Sequence, residues 1–538
     1  MKKIEVLICL SILLVSCATA ERYNAVTNRD IPPEELHQDI DKVRKNLFAH
    51  HPDIDMYLTK EQISHKLDSL KKTVKKPMKS ADFSRELFKV VSKFGHGHIY
   101  LTSRPYKMTK VERHHTKGSK GPLSQLSVEG AGDRLMLKKI TGKKSSQDVY
   151  AELISIDDIK YKDYYNLYKG TRPGDGYIKT MDSYIISKNY LNYVSRVLGV
   201  QDAIILTLKK NGSVYTKVVK REFLEHKNAK SKQAPAPQKQ KIVKKTPVKY
   251  PTREEIIKRN ALEKYQNKVK KYLGYNPATK QYSREISFPV KGDSSIAVLK
   301  IRDFKRGSVK KGYAFIFDSL HKHKVQYLIL DLRGNGGGYV RHGNTLYSYL
   351  SKDSHPVIMD SAKVMSKTAM VGLNFTKFNA FQHTVFLPLT LAFSTSEYFN
   401  TKKGKDGNYY YKMMNKSDHK AKPLNKYAGK LYVLTNGATY SMSAVLAASL
   451  QAEGRATFIG EETGGDFNGT VAGHSRCTKL RNSHTNFCFG VMTIKPNAQR
   501  KLIGRGVLPD IPVPASLEDL MMKKDPALSR AINEIRLP

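Results

Sequence analysis

The strongest constraint on the fold is an alternation of strand-like and helix-like segments through residues 285–515. Apolar runs of strand length at 296–301, 325–330 and 430–435 are each followed by a segment with helical spacing. Strands that alternate with helices form a mainly parallel sheet, and such sheets carry their sites at the carboxyl ends of the strands. The sequence therefore predicts an α/β core with its functional residues in the strand-to-helix loops.

The segments on either side of this core have other patterns. Residues 33–101 have apolar residues every three or four positions and predict a helical domain, whereas residues 122–222 contain strand-like runs. Residues 516–538 predict a helical C-terminal tail, and the polar residues 17–32 predict a flexible tether. At ~100–200 residues per domain, the 538 residues of this chain are enough for about three domains.

The first residues are typical of an export signal rather than of a folded element. Lys2 and Lys3 precede an apolar stretch at 6–15, which is shorter than the ~20 residues that a membrane span needs. The stretch ends in LVSC, which resembles a bacterial lipobox, where Cys17 would be lipidated after removal of residues 1–16. An ordinary secretory signal that contains a cysteine is the alternative. We expect a mature protein anchored by lipid in the cell envelope, in the periplasm or at the outer membrane.

The net charge of the chain constrains which partners it could bind. The chain has 93 Lys and Arg against 48 Asp and Glu, a formal net charge of +45, which would ordinarily prompt a nucleic-acid hypothesis. Export argues against nucleic acid as a partner. Residues 227–284 hold 17 Lys and Arg against 3 acidic residues and predict a basic linker with a solvated helix at 253–273. That surface is either simply soluble or a contact for anionic lipid or glycan of the envelope.

Cysteine use fits an oxidising compartment. Cys477 and Cys488 flank a polar stretch that is typical of a hairpin tip, so they either form a disulfide or remain two buried thiols. Their spacing does not match a zinc site, and we predict no metal.

Two strand-to-loop junctions carry the candidate chemistry. The segment LDLRGNGGG at 330–338 places glycines after a buried strand, where backbone N–H groups can approach an anion. The segment TNGATYSMSA at 435–444 places hydroxyl groups at the start of an apolar helix, where a serine lies near free N–H donors. Taken singly, the first could be a tight turn and the second a helix cap by Ser441 or Ser443.

Together and in this order, the two segments resemble the C-terminal processing, or tail-specific, serine peptidases and their tricorn-like relatives. LDLRGNGGG is similar to that family's LDLRxNxGG, and TNGATYSMSAVLAASLQAEGRATFIGEETGG is similar to its NxxTASASExxAxALxxxGRAxxxGexTxG. GVLPD at 506–510 is similar to its closing GVxPD. The resemblance implies a ClpP/crotonase-like peptidase core that needs no cofactor and acts on peptide or protein substrates.

Carried over by position, Ser441 matches the nucleophile of the family. The backbone N–H groups of Met442 and of Gly337, or its neighbour Gly336, would then form the oxyanion hole. In the processing-protease branch a lysine follows the nucleophile by 25 positions, but here that position is Asp466. The reference pKa of an aspartate, ~3.9, makes it a poor base at neutral pH, so we expect no Ser–Lys dyad.

The tricorn-like branch offers a histidine as the base instead. The segment FGHGHIYL at 94–101 resembles that branch's DGHTxL, with His98 at the histidine and His96 where Asp is usual. Histidine titrates near neutrality and suits a general base. The alternatives are a loop turn or an adventitious metal site, and His342 and His474 remain outside candidates. The glutamate that this branch places before GVxPD is absent, because the position is Ile503 or Gly504.

Residues 122–222 resemble a PDZ domain more loosely. YAELISIDDIKYKDYYN is similar to a PDZ strand-turn-helix, and LTLKKNGSVYTKVV to the closing hairpin, with Asn211-Gly212 as the turn. There is no clear Gly-Leu-Gly-Phe loop, and a generic small β domain is the alternative. The predicted function is an envelope serine endopeptidase that forms an acyl-enzyme on Ser441. A degenerate peptidase scaffold that binds envelope peptides or polyanions is the rival prediction.

Overall fold

The computed structural model describes residues 19–140, 148–171, 174–223, 252–352, 358–359, 361–375, 380–413, 425–496 and 498–537. The predicted signal peptide at 1–16 and the predicted lipidation site Cys17 lie outside the described residues. So does the low-complexity part of the basic linker, up to residue 251.

The prediction of a flexible tether at 17–32 is wrong for its described part. Residues Ala20–Asn28 form a helix and Asp30–Ile31 a short strand. The Asn24 side chain exchanges hydrogen bonds with the backbone of Lys107, donating to its carbonyl at 2.8 Å and accepting from its amide at 3.0 Å. The ordering contact lies 83 residues further along the chain, which is why the local polar composition did not reveal it.

The predicted helical domain consists of helices Pro33–His50, Lys60–Thr73 and Ser80–Val91. Each turns a periodic apolar face inward, and the buried residues of the first helix include Leu36, Ile40, Val43 and Leu47. The chain then passes through a 3₁₀ turn at Ser92–Phe94 to strand Tyr100–Thr102, which pairs with strand Asn486–Ile494 of the core. The loop at 95–99 is therefore held against the core.

The β domain has its own apolar core and an antiparallel sheet. In spatial order its strands are Ser213–Lys220, Ala203–Lys210, Glu152–Ile156, Arg134–Ile140 and Leu126–Ala131, with Ile159–Lys160 beside the third. Helices Tyr161–Tyr168 and Thr180–Leu198 complete it. Asn211 and Gly212 both have positive φ, 51° and 83°, as the predicted hairpin turn requires. Assignment of this unit as PDZ-like stays a prediction.

The predicted α/β core is present. Its main sheet has the order Arg284–Ser287, Ile296–Ile301, Tyr327–Asp331, Lys430–Thr435, Thr457–Gly460 and Ile511–Pro512, parallel except for the first strand. Helices Val309–Lys322, Val340–Leu350 and Met442–Ala452 come after its strands. The loops after the two central strands therefore meet at one edge of the sheet.

A second sheet covers this edge. Its strands are Thr401–Lys403, Tyr409–Lys412, Ser361–Val364, Asn486–Ile494 and Thr470–Lys479, in that spatial order. Cys477 lies opposite Cys488 in the last hairpin, and the two are joined by a disulfide. Helices Ala380–Val385 and Leu387–Asn400 come between strands Ser361–Val364 and Thr401–Lys403 of this sheet.

Two further segments lie at the periphery. Helix Arg253–Leu273 has no buried residue, in line with the predicted solvated basic helix, and Thr252 caps it. The C-terminal tail forms helices Leu517–Met521 and Pro526–Arg536. The tail is tied to the core by Asp525, which forms an ion pair with Arg333 at 2.7 Å.

Candidate active site

The two glycine- and hydroxyl-rich loops are hydrogen-bonded to each other. The amide of Gly334 donates to Asn436 Oδ1 at 3.0 Å, and the amide of Tyr440 donates to the carbonyl of Asn335 at 3.0 Å. Thr439 Oγ1 donates to a carbonyl of the neighbouring loop, that of Leu332. The parallel pairing of their strands brings these loops together, although they are about a hundred residues apart in the chain.

Ser441 lies at the first turn of helix Met442–Ala452 in a strained backbone conformation. Its φ is +57° and its ψ is −131°, a region that residues other than glycine seldom occupy. Such strain costs ~1–3 kcal/mol and is concentrated at functional sites. Its half-buried side chain faces a cavity, whereas Ser443, two positions further on, is fully buried.

Backbone donors surround Ser441, although not all of them are available. The amide of Met442 has no acceptor among the described residues, as expected at the start of a helix. The amide of Gly337 donates to Asn335 Oδ1 at 2.9 Å, so this predicted oxyanion donor is already engaged. Gly336 and Gly338 line the cavity instead, and their amides donate to no acceptor within the described part of the chain.

Gly337 still has a clear structural role beside the serine. Its φ is +91°, and a Cβ there would come within 2.7 Å of Ser441 Cβ and 2.9 Å of the Met442 amide nitrogen. Only glycine permits this approach of the two loops.

The cavity between the main sheet and the second sheet has a volume of about 680 Å³ and is lined by both Ser441 and His98. This volume falls in the range of ligand-binding clefts, ~300–1,000 Å³. Its apolar wall includes Met413, Met442 and Met492. Exposed basic side chains complete the lining, namely Lys305, Arg341 and Lys412.

His98 is held by hydroxyl groups on one ring nitrogen. Its Nδ1 lies 2.7 Å from Tyr440 Oη and 3.1 Å from Thr470 Oγ1, and its ring stacks on the Tyr440 ring with centroids 4.7 Å apart. Nε2 makes no hydrogen bond to any described residue, and none joins His98 to Ser441. Burial, followed by the nearby His96, lowers the pKa of His98 to about 4, so the imidazole is neutral at pH 7.

Sequence reasoning missed one carboxylate of the site, Asp175. It is 1% exposed and lies just before helix Thr180–Leu198 of the β domain. Its Oδ1 accepts hydrogen bonds from Tyr440 Oη at 3.2 Å and from the Gly97 amide at 3.0 Å. Burial raises the pKa of Asp175 to about 7, and these donors oppose the shift. One sequence signal was present, because Tyr440 stands where the family pattern has alanine.

Asp466, at the position of the lysine in the processing-protease pattern, points away from the cavity. Its carboxylate accepts from Tyr57 Oη at 3.0 Å and from the amides of Gly504 and Asn468 at 2.7 and 2.8 Å. Burial raises the pKa of Asp466. This carboxylate ties loops together and does not reach Ser441.

The remaining histidine candidates have different environments. His342 is buried, its Nδ1 contacts Arg284, and it does not line the cavity. His474 does line the cavity, and burial lowers its pKa. His96 is buried, and its Nε2 lies 3.2 Å from the carbonyl oxygen of Ile54.

The described residues contain neither a membrane span nor a metal cluster. No helix among them combines the length and apolarity needed to cross a membrane. No group of three or more of their His, Cys, Asp or Glu side chains is arranged to hold a metal ion.

Comparison with known proteins gives a family match for part of the chain and a similar fold for most of it. Residues 295–513 match the model of peptidase family S41. A mutant of CPAF is similar at 14% identity and a TM-score of 0.55, covering 94% of this chain and 96% of that chain. Mature CPAF complexed with lactacystin is similar at 13% identity and a TM-score of 0.53, covering 94% and 97%.

The photosystem II D1 C-terminal processing protease is similar at 13% identity and a TM-score of 0.38, covering 90% of this chain and 96% of that chain. No curated protein matches the sequence. The predicted fold class, an α/β core of the ClpP/crotonase type joined to helical and β domains, is confirmed.

Proposed function

We propose that this chain, whose residues 295–513 match the model of peptidase family S41, is a serine-type endopeptidase with Ser441 as nucleophile. The observation that carries the proposal is the strained Ser441 at a helix start, facing a cavity that His98 also lines. The substrates are peptides or proteins.

The reaction proposed is acyl transfer through Ser441. Nε2 of His98 takes the proton of the hydroxyl as Oγ attacks the peptide carbonyl, and later gives it to the leaving amine. The oxyanion would accept hydrogen bonds from the amide of Met442 and from a free amide of the glycine loop, Gly336 or Gly338. Water then attacks the acyl-enzyme with His98 again as base. No cofactor takes part in these steps.

The envelope location is also a proposal, and it rests on the sequence of the first residues. Export with lipidation of Cys17 would place the peptidase outside the cytoplasm, where a disulfide between Cys477 and Cys488 is stable. Metabolic labelling with an azido fatty acid tests it. Label in the wild type and none in Cys17→Ser is expected, whereas label in neither protein would contradict lipidation.

Digestion of fluorescein-labelled casein by purified protein tests the nucleophile. Ser441→Ala should lose at least ~10³-fold in rate, because the acyl-enzyme can no longer form. Ser443→Ala is the matched control, since it removes a hydroxyl from the same helix that does not line the cavity. Equal rates for wild type and Ser441→Ala would contradict the proposal, and no digestion by the wild type would favour a binding scaffold.

A further inference from the structure

Asp175, Tyr440 and His98 form a hydrogen-bonded chain. Asp175 Oδ1 lies 3.2 Å from Tyr440 Oη, which in turn lies 2.7 Å from His98 Nδ1. Asp175 and Tyr440 are 1% and 6% exposed, so water does not compete freely for these bonds. The groups come from the β domain, the core and the helical domain respectively.

The single proton of the Tyr440 hydroxyl makes this chain directional. If Tyr440 donates to Asp175, its oxygen is left to accept, and its 2.7 Å contact with Nδ1 of His98 is a hydrogen bond only when Nδ1 carries a proton. Thr470 Oγ1, 3.1 Å from Nδ1, can accept from the same proton. Nε2 then holds the lone pair that a general base needs. If Tyr440 donated to His98 instead, Nε2 would carry the proton and could not accept one from Ser441.

We propose that Asp175 and Tyr440 are positioning residues that hold His98 in the tautomer whose Nε2 can accept the Ser441 proton. This inference rests on the proposed function of Ser441 and His98. Tyr440 stands between the carboxylate and the imidazole, and Asp175 supplies the charge that the missing glutamate would otherwise bring.

Proton balance is simple in this arrangement. The Ser441 proton moves to Nε2, and His98 becomes an imidazolium with protons on both nitrogens. Nδ1–H continues to donate to Tyr440, and Tyr440 continues to donate to Asp175. Neither bond transfers its proton, so the carboxylate stabilises the cation through an oriented hydroxyl dipole. The imidazolium needs this stabilisation because burial disfavours the charged form of His98.

The surrounding backbone leaves room for this contact. A Cβ on Gly97 would come within 2.4 Å of Tyr440 Oη and 3.3 Å of Asp175 Oδ1, so only glycine lets the hydroxyl reach its place. The amide of Asp175 is itself fixed by the carbonyl of Gly464 at 3.0 Å. The loop at Gly97 and the loop at Gly464 therefore hold the Asp175 carboxylate on the Nδ1 side of His98.

Inactivation by a fluorophosphonate tests the inference without knowledge of the natural substrate. In Tyr440→Phe the ring that stacks on His98 remains and only the hydroxyl is lost, so kinact should fall at least ~100-fold while KI changes less than ~3-fold. Tyr57→Phe is the matched control. It removes the hydroxyl of a half-buried tyrosine, which donates to a carboxylate, Asp466, and makes no hydrogen bond to His98 among the described residues. Here kinact should stay within ~3-fold of the wild-type value.

If circular dichroism shows that Tyr440→Phe is not folded, a second variant still tests the inference. Asp175→Asn retains an acceptor for the Gly97 amide but loses the charge, and kinact should fall at least ~10-fold. The double variant should be no slower than Tyr440→Phe, because the two residues act through one path.

Three results would overturn the inference. These are a folded Tyr440→Phe or Asp175→Asn with wild-type kinact, additive losses in the double variant, or an equal loss in Tyr57→Phe. If the wild type itself does not react with the fluorophosphonate, the proposed function fails rather than the positioning role.

Discussion

Two tyrosine–aspartate pairs lie close together near the active site, one with a half-buried tyrosine and one fully buried. They differ in whether the tyrosine oxygen also contacts a histidine. Tyr57 donates to Asp466 at 3.0 Å, and Tyr440 donates to Asp175 at 3.2 Å. The first carboxylate otherwise holds backbone amides of the loops at 466–468 and 504, so the pair joins loops. In the second pair, the tyrosine oxygen also lies 2.7 Å from His98. In the proposed mechanism the first pair would only join loops, whereas the second would also orient the catalytic base.

Removal of the His98 imidazole should give the largest effect on activity. His98→Ala should reduce casein digestion at least ~10³-fold while leaving thermal unfolding close to wild type, because the base is lost and the cavity only widens. Added imidazole should restore part of the rate. Retained activity would contradict His98 as base, and a loss in His474→Ala instead would assign the role to the other cavity histidine.

Displacement of the Tyr440 hydroxyl should give the next largest effect. Gly97→Ala places a methyl group 2.4 Å from Tyr440 Oη, so we expect kinact to fall ~100-fold as the hydroxyl shifts from His98. Gly121→Ala is the control, since a Cβ there meets only the Arg221 side chain at 3.6 Å. Similar rates for the two variants would show that the hydroxyl position does not matter.

The charge on Asp175 should appear in the pH profile of kinact. Burial raises the pKa of Asp175 to about 7. The ionised carboxylate is the stronger acceptor for the Tyr440 hydroxyl and so favours donation away from His98. Reactivity should therefore rise with pH through an apparent pKa near that value, which belongs to the coupled group. In Asp175→Asn the acid limb should move to lower pH, towards the pKa of about 4 of His98.

Other groups that face Asp175 also contribute to that profile. Tyr57 and Asp466 act on it across the loops, and Thr470 and Tyr440 from the core. Asp466→Asn is the variant to compare with Asp175→Asn, because it removes a neighbouring carboxylate charge that makes no hydrogen bond to His98. An acid limb that stays in place in Asp175→Asn would contradict the role of this carboxylate.

The smallest effect on reactivity is expected for the loop-joining pair. Asp466→Asn should lower the free energy of unfolding by ~1–3 kcal/mol, because buried donors lose a charged acceptor, while kinact stays within ~3-fold. Chemical denaturation and the inactivation assay measure the two quantities. A large loss of kinact with unchanged stability would remove the distinction between the two pairs.

The sequence predicted those parts of the structure whose signals are local. Helical spacing at Leu36 and Ile40, the Asn211-Gly212 turn and the alternation through 285–515 each depend on neighbouring residues, and the structure has all three. The segments that hold Ser441 and His98 were also recognisable, since each has a distinctive short pattern.

Local sequence patterns could not predict contacts between residues that are distant in the chain. Asp175 lies 78 positions from Gly97 and 265 from Tyr440, in a segment with no pattern of its own. The family pattern places its acid at 503–504, where this chain has none. The Gly337 amide likewise donates to the side chain of Asn335, two residues earlier. The glycine pattern does not specify the orientation of that side chain.

The residue that carries a fluorophosphonate adduct in the wild-type protein tests the central claim most directly. Peptide mass mapping after brief labelling at pH 8 should find the adduct on Ser441, with the neighbouring Ser443 unmodified. An adduct on another residue, or no adduct after prolonged incubation of folded protein, would contradict the assignment of Ser441 as nucleophile.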